Sequence, residues 1–174
     1  MNAAYENLLT RRSCRKYDGK QITQEELDAI LKAGVYAPTG MGLQSPKMVV
    51  LQKPEDVEAY QKLNAGVRGD ENARTFYGAP TVVIVFGDEN SEFCLDDANL
   101  VIANLLNAAN ALGVDSCYIW RARQVFESEE GKKLMKKWGV SDNYRGVGNV
   151  ILGYGEEGGV QKAKPRKADY IIKV

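Results

Sequence analysis

Apolar residues along this chain recur at two different spacings, and segments of the two kinds alternate. Leu27, Ile30 and Leu31 have the spacing of one helix face, and Thr23 with Glu26 forms a T-x-x-E capping box. A short run of mostly β-branched residues is typical of a buried strand. These patterns predict helices over residues 2–9, 24–37, 54–65, 93–112 and 128–138, and strands over residues 47–53, 80–86, 115–119, 146–153 and 168–174.

The longest predicted helix, residues 93–112, has two distinct faces. Its apolar residues fall on one arc of about 140°, and they are Leu95, Ala98, Val101, Ile102, Leu105, Leu106, Ala109 and Leu112. The opposite side carries Asp96, Asp97 and a series of asparagine and alanine residues, with few long charged side chains. Such a face suits close contact better than water. We therefore predict a second buried surface on this helix, with a subunit interface as one candidate.

The interleaving of helices and strands predicts an α/β or α+β sheet protein. A length of 174 residues suits one domain, residues 1–174, with a single core. Hydrophobic residues make up 44% of the chain and charged residues 26%, which is typical of a globular protein rather than a disordered one.

The absence of histidine limits the chemistry of the protein. It excludes Ser-His-Asp and Cys-His hydrolases, His-ligated zinc and haem with a proximal histidine, and we expect no metal site. A bound cofactor is the simplest alternative source of reactivity.

Charge and hydropathy indicate which partners to expect. The 23 basic and 23 acidic residues balance, which argues against a general nucleic-acid binder. No window approaches 18 consecutive apolar residues, so no membrane span is expected. Cys14, Cys94 and Cys117 lie far apart without a C-x-x-C spacing, and the N-terminal residues lack the apolar run of a signal peptide. We therefore expect a cytoplasmic protein.

Two basic clusters are candidates for binding an anion. Arg11, Arg12, Ser13 and Arg15 combine three guanidinium groups with one hydroxyl, a set that suits a phosphate. A second cluster, residues 162–167, precedes the terminal strand. Both clusters are also compatible with solvated charge runs or with a nucleic-acid patch. Their presence in a net-neutral chain favours one shared anionic ligand.

Two other segments have features of a binding site. Residues 37–46 contain two glycines that allow close backbone approach, and Thr39 offers a hydrogen bond. Residues 113–120 form a strand that ends in Tyr118 and Trp120, which suits one wall of a planar ligand's site. The alternatives are an ordinary helix-to-strand loop and core packing of the aromatic rings.

Taken together, these segments resemble the FMN-dependent nitroreductase family over nearly the whole chain. The resemblance is carried by the order and spacing of RRSCRKY at 11–17, APTGMGLQSP at 37–46, ALGVDSCYI at 111–119, ILGYG at 151–155 and KPR at 164–166. It implies an α+β fold with a mixed central β-sheet flanked by helices. It also implies an intertwined homodimer with C-terminal strand exchange and two FMN sites at the subunit interface.

The resemblance also implies which residues contact FMN. Residues of the first motif would hold the phosphate and ribityl chain, with Arg15 at the pyrimidine edge of the ring. The strand end would lie beside the ring, and the 38–42 loop would reach the flavin from the other subunit. The implied set is Arg11, Arg12, Ser13, Arg15, Pro38, Thr39, Gly40, Gly42, Asn72, Ser116, Cys117, Tyr118, Ile119, Lys164 and Arg166.

The sequence departs from the family pattern in three respects. Gly42 stands where many members have asparagine, so one side-chain hydrogen bond is lost. Trp120 and Arg121 stand where larger members have Glu-Gly, which implies that a different backbone amide donates to flavin N5. The chain is also short for the family, which implies reduced cover over the substrate face.

These observations predict an enzyme that transfers hydride from NADH or NADPH through FMN to an electron-poor acceptor, of nitroaromatic or quinone type, by a ping-pong mechanism. No catalytic side chain is expected, because stacking and orientation suffice for hydride transfer between nicotinamide and flavin. A flavin-binding or redox-sensing module with little turnover is the main alternative. An anion or RNA binder that uses the two basic clusters is the other.

Overall fold

The computed structural model describes residues 2–174. Its helices are α1 (Ala3–Thr10), α2 (Gln24–Val35), α3 (Pro54–Gly66), α4 (Cys94–Ala111), α5 (Ala122–Glu127) and α6 (Glu129–Lys137). Its strands are β1 (Lys47–Leu51), β2 (Thr81–Asp88), β3 (Asp115–Ile119) and β4 (Tyr144–Gly153). One turn of 3-10 helix, Gly40–Gly42, lies between α2 and β1.

The four strands form one sheet in the order β1-β2-β4-β3, and each neighbouring pair is antiparallel. β3 is therefore an edge strand. Ser13 forms an isolated parallel bridge with Ser116 of β3. The parallel component of the predicted mixed sheet is thus limited, in residues 2–174, to this one contact.

Helices cover both faces of the sheet because β2 is apolar on both sides. Successive side chains of a strand point to opposite faces. Val82, Ile84 and Phe86 pack in one core cluster with residues of α3, α5 and α6. Val83 and Val85 pack in the other with residues of α2 and α4. The two layers of helices around one sheet confirm the predicted α+β class.

Most predicted elements are confirmed to within a few residues. β3 has the predicted bounds, and the capping box of α2 is present, with the Glu26 amide donating to Thr23 Oγ1 at 3.2 Å. The prediction missed α5, which has six residues and no side-chain cap. The strand predicted at 168–174 does not form within residues 2–174 of one chain, where this segment has no neighbouring strand and Ile171 and Ile172 are exposed; that it pairs with a second subunit stays a prediction.

The second face of α4 is partly covered within the same chain. Asn7 of α1 donates to the Asn107 carbonyl at 2.9 Å, and Asn110 donates to Asn7 Oδ1 at 2.6 Å. Asn104 donates to the Ala33 carbonyl of α2 at 2.9 Å. The asparagine residues therefore hold α1 and α2 against α4. That a second subunit covers the rest of this face stays a prediction.

The apolar arc of α4 is shifted from its predicted position. Leu95 and Leu112 are exposed, at 45% and 44%, whereas Asp97 is only 2% exposed. Asp97 was predicted on the polar side. It is buried because the turn at Gly40 lies over it and donates a backbone hydrogen bond to its carboxylate.

Candidate functional site

The first basic motif runs along the free edge of β3. The Cys14 amide donates to the Ser116 carbonyl at 3.0 Å, and the Arg15 amide donates to the Gly159 carbonyl at 2.8 Å. The first bond satisfies an edge-strand carbonyl that a sheet otherwise leaves open, and the second joins the motif to the segment after β4. Gly155 permits the close approach, because a Cβ there would overlap Cys14 Sγ and Asp115 Oδ2. The structure thus brings two of the predicted groups, residues 11–15 and 116–119, together.

Three side chains of this motif influence the Cys117 thiol. Burial raises the pKa of the Cys117 thiol, while a hydrogen bond with Ser13 and the charges of Arg15 and Arg11 lower it. Positive charge and a hydroxyl group therefore act on the middle of β3. That combination suits an anion such as a phosphate.

The guanidinium groups of Arg11 and Arg12 differ in their contacts. Arg12 Nη1 donates to the carbonyls of Leu9 and Arg11 at 2.8 and 2.7 Å, so it closes the end of α1. Arg11 Nη1 is buried and has no hydrogen-bond partner in residues 2–174. A buried donor without an acceptor costs about 1–3 kcal/mol. An anion held at Arg11 would supply the missing acceptor, so these residues fit a phosphate-bearing ligand.

The end of β3 is fixed by a buried amide that the sequence analysis missed. Asn149 of β4 is fully buried and donates to the Ile119 carbonyl at 2.9 Å. Its Oδ1 accepts from the Tyr60 hydroxyl at 2.7 Å. Burial raises the pKa of Tyr60, so this hydroxyl stays protonated and donates. One asparagine within the apolar run of 146–153 was the available signal, because a buried amide needs partners.

The residues predicted at the end of β3 differ in how far their side chains are exposed. Ser116, Cys117 and Ile119 are buried, whereas Tyr118 is 37% exposed. The β3 side chains alternate between the two faces of the sheet. In this chain, Tyr118 and the backbone are therefore the accessible parts of the segment.

The glycine-containing loop is held on α4. The Gly40 amide donates to Asp97 Oδ1 at 2.8 Å, and a Cβ at Gly40 would overlap the ring of Phe93. Met41 and Gly42 have positive φ values of 52° and 70°. Glycine adopts this conformation without steric cost, but methionine does not. The loop is thus a defined turn in which Met41 is 87% exposed.

This loop and the first basic motif lie at opposite ends of the sheet. In the sheet register, Lys47, which directly follows the loop, pairs with Phe86, and Phe86 pairs with Gly146 of β4. Ser116 pairs with Leu152 of β4. The stretch of β4 between Gly146 and Leu152 spans about 20 Å. The structure therefore does not bring Pro38, Thr39, Gly40 or Gly42 to the residues around Cys117 within one chain.

The remaining predicted residues are exposed and are not joined to the site by contacts. Asn72 lies in the loop after α3, where its amide donates to Asp70 Oδ1 at 3.1 Å. Lys164 and Arg166 lie in the extended C-terminal segment. Val160 forms a bridge with Cys14, so the Lys164 Cα atom lies within about 14 Å of Val160.

Metal-binding clusters and membrane-spanning helices are both absent from residues 2–174. Within residues 2–174, cysteine, aspartate and glutamate nowhere form a group of three or more that suits a metal ion. Over the same residues, none of the helices has both the length and the apolar character that a membrane span requires.

The family model described as "Nitroreductase family" matches residues 8–154. A nitroreductase from Bacteroides fragilis, solved with bound FMN, is 31% identical, with a TM-score of 0.91 and 100% of each chain covered. A nitroreductase from Desulfitobacterium hafniense, also with bound FMN, is 24% identical, with a TM-score of 0.88 over 100% of this chain and 99% of that one, a likeness of fold.

A proposed NADH dehydrogenase/NAD(P)H nitroreductase from Archaeoglobus fulgidus is 28% identical over 160 residues, which cover 88% of this chain and 86% of the relative. The resemblance identified from five short motifs is confirmed by the family model, which spans four of them in whole or in large part. The chain belongs to the nitroreductase family.

Proposed function

We propose that this protein is an FMN-dependent oxidoreductase. It takes hydride from NADH or NADPH and passes electrons to an electron-poor small molecule, of nitroaromatic or quinone type, by a ping-pong mechanism. Family membership and the FMN-bound relative from Bacteroides fragilis support this proposal. Bound FMN would supply the hydride chemistry, and the chain supplies binding, orientation and electrostatics.

The buried Nη1 of Arg11 is the observation that carries the proposal. It lacks an acceptor, and it lies in the motif that places Ser13 and Arg15 beside Cys117. Guanidinium and hydroxyl donors of this kind suit the oxygens of the FMN phosphate and ribityl chain. The buried amides of Asn149 and Asn64 donate to the carbonyls of Ile119 and Trp120. These bonds would keep the end of β3 in a defined position beside the flavin.

The position of the 38–42 loop supports a homodimer. One chain places this loop about 20 Å along the sheet from the first basic motif. A second copy would bring its own loop to the motif, and each subunit would then complete the other's FMN site. Lys164 and Arg166 lie in a segment that is free to follow the dimer interface, and we place them at the FMN phosphate.

We place the enzyme in the cytoplasm, with small molecules as its substrates. Cys14, Cys94 and Cys117 are free and buried, which supports a reducing compartment. We propose neither a nucleic-acid partner nor attachment to a membrane.

An absorbance spectrum of the purified protein, before and after FMN addition, tests the proposal. We expect flavin bands that bleach when NADH or NADPH is added anaerobically and that return with a nitroaromatic or quinone. Bands that bleach with neither nucleotide would favour a flavin-binding or redox-sensing module. A protein that takes up no FMN would contradict the proposal.

The exposed C-terminal segment gives a test of the dimer. Ile171 and Ile172 are 73% and 85% exposed in the chain. If this segment is exchanged with a second subunit, lysine at both positions will weaken the dimer, because two charges replace buried apolar side chains. Sedimentation velocity is expected to show a shift towards monomer. The control is the double variant Val160→Lys and Gln161→Lys, at the start of the same segment, where Val160 still pairs with Cys14 of its own chain. An unchanged dimer in the Ile171/Ile172 variant would contradict strand exchange.

A further inference from the structure

Arg121 adopts a backbone conformation that glycine usually occupies. Its φ is 82°, in the left-handed region, directly after the carbonyl of Trp120. A non-glycine residue in this region is strained by about 1–2 kcal/mol. The chain therefore keeps a side chain at a position where glycine would be more favourable. Such strain is concentrated at functional positions.

A buried amide anchors the side chain of Arg121. Asn64 of α3 is fully buried, and its Oδ1 accepts from Arg121 Nε at 3.3 Å. The same amide donates to the Trp120 carbonyl at 3.0 Å. Because Nε donates to Asn64, the two terminal nitrogens of the guanidinium point away from Asn64. Their N–H groups can then donate to a ligand.

Arg68 adds a second positive charge at this place. It lies in the turn that follows α3, and its charge acts on the Arg121 guanidinium. Burial lowers the pKa of Arg121, and the charge of Arg68 lowers it further. Of the neighbouring carboxylates, Asp70 accepts from the Asn72 amide, and Glu71 lies against Gly66.

Neither guanidinium has an ion-pair partner within residues 2–174. Two like charges held together without a counterion are unfavourable unless an anion binds between them. Trp120, 61% exposed, adds an aromatic surface beside the pair.

We propose that Arg121 and Arg68 bind an oxyanion, a carboxylate or a phosphate, carried by the substrate that enters the flavin site. This inference rests on the proposed function, because it names the substrate class of the same site. A forked guanidinium matches the two oxygens of such a group. The site therefore selects anionic substrates over neutral molecules of the same shape.

Isothermal titration calorimetry with pairs of ligands that differ in one anionic group tests the proposal. 4-Nitrobenzoate and 4-nitrobenzamide differ in one charge, and NADP⁺ and NAD⁺ differ in one phosphate. We expect the anionic member of at least one pair to bind about tenfold or more tightly, as for a hydrogen bond to a charged group. The pair that shows the preference identifies the source of the oxyanion, an acceptor carboxylate or the nucleotide phosphate.

Arg121→Gly and Arg68→Gln are expected to remove most of this preference while binding of the neutral member stays unchanged. Glycine tolerates the positive φ, so the first variant should fold. Arg123→Gln is the control, since it removes the same charge from an exposed arginine that pairs with Glu127.

The oxyanion site and the proposed oxidoreductase function would be contradicted by different results. A protein that binds FMN but shows no preference within either pair, or loses none in the two variants, would overturn the oxyanion site and leave the oxidoreductase proposal standing. A protein without flavin that still prefers the anionic member through Arg121 would retain the oxyanion site and lose the proposed enzyme.

Discussion

Arg11→Met is expected to weaken FMN binding by about 1.5–3 kcal/mol, the contribution of a hydrogen bond to a charged group. Nη1 of Arg11 is a buried donor that lacks an acceptor within residues 2–174. Methionine keeps the apolar stem of the side chain and removes the unsatisfied donor. The flavin-free variant should therefore be as stable as the parent protein, or more stable. Fluorescence titration with FMN and urea unfolding of the flavin-free protein measure the two effects.

The combination of weaker binding and retained stability separates a ligand contact from a structural one. Arg12 is the matched comparison, because its guanidinium bonds to two carbonyls at the end of α1. Arg12→Met should lower the free energy of unfolding by about 1 kcal/mol even without flavin. If Arg11→Met lowers stability in the same way and leaves FMN affinity unchanged, the phosphate site lies elsewhere.

Local sequence patterns were sufficient for most of the fold. The capping box of α2 and the apolar run of β2 are each determined by neighbouring residues, so each could be read without the rest of the chain. α5 was missed because six residues with no side-chain cap carry little periodic signal. The strand predicted at 168–174 has a strand-like composition, but pairing requires a second strand that one chain does not provide.

The candidate site was less accessible to sequence reasoning because its parts are joined by long-range contacts. The motif at residues 11–15 was identified from charge, but its position on β3 depends on the bridge between Ser13 and Ser116. The positive φ of Arg121 could not be predicted, since the sequence shows a residue that rarely adopts it. The role of Asp97 was misjudged because helical periodicity does not reveal a loop that packs over a helix.

Asn149 connects the core to the end of β3, and the contacts it makes are expected to stabilise the whole protein. Its amide joins the Tyr60 hydroxyl to the Ile119 carbonyl, and the side chains of Asn149 and Tyr60 are fully buried. Asn149→Leu leaves that hydroxyl without an acceptor and removes a donor from that carbonyl. At about 1–3 kcal/mol for each of these two unsatisfied buried groups, the free energy of unfolding should fall by about 2–6 kcal/mol.

That loss would be a large part of the stability of an ordinary domain, about 5–15 kcal/mol. Urea unfolding measures it, and Asn90→Leu, at an exposed position of the turn after β2, should change stability by less than about 0.5 kcal/mol. Tyr60→Phe in the Asn149→Leu background removes the unsatisfied hydroxyl, so the double variant should be more stable than the sum of the single effects predicts. Strict additivity would mean that the Tyr60–Asn149 hydrogen bond contributes nothing, and that the position of Ile119 and Trp120 is set by backbone pairing alone. A positive coupling would instead make this amide the link through which packing of α3 fixes the strand end beside the proposed flavin site.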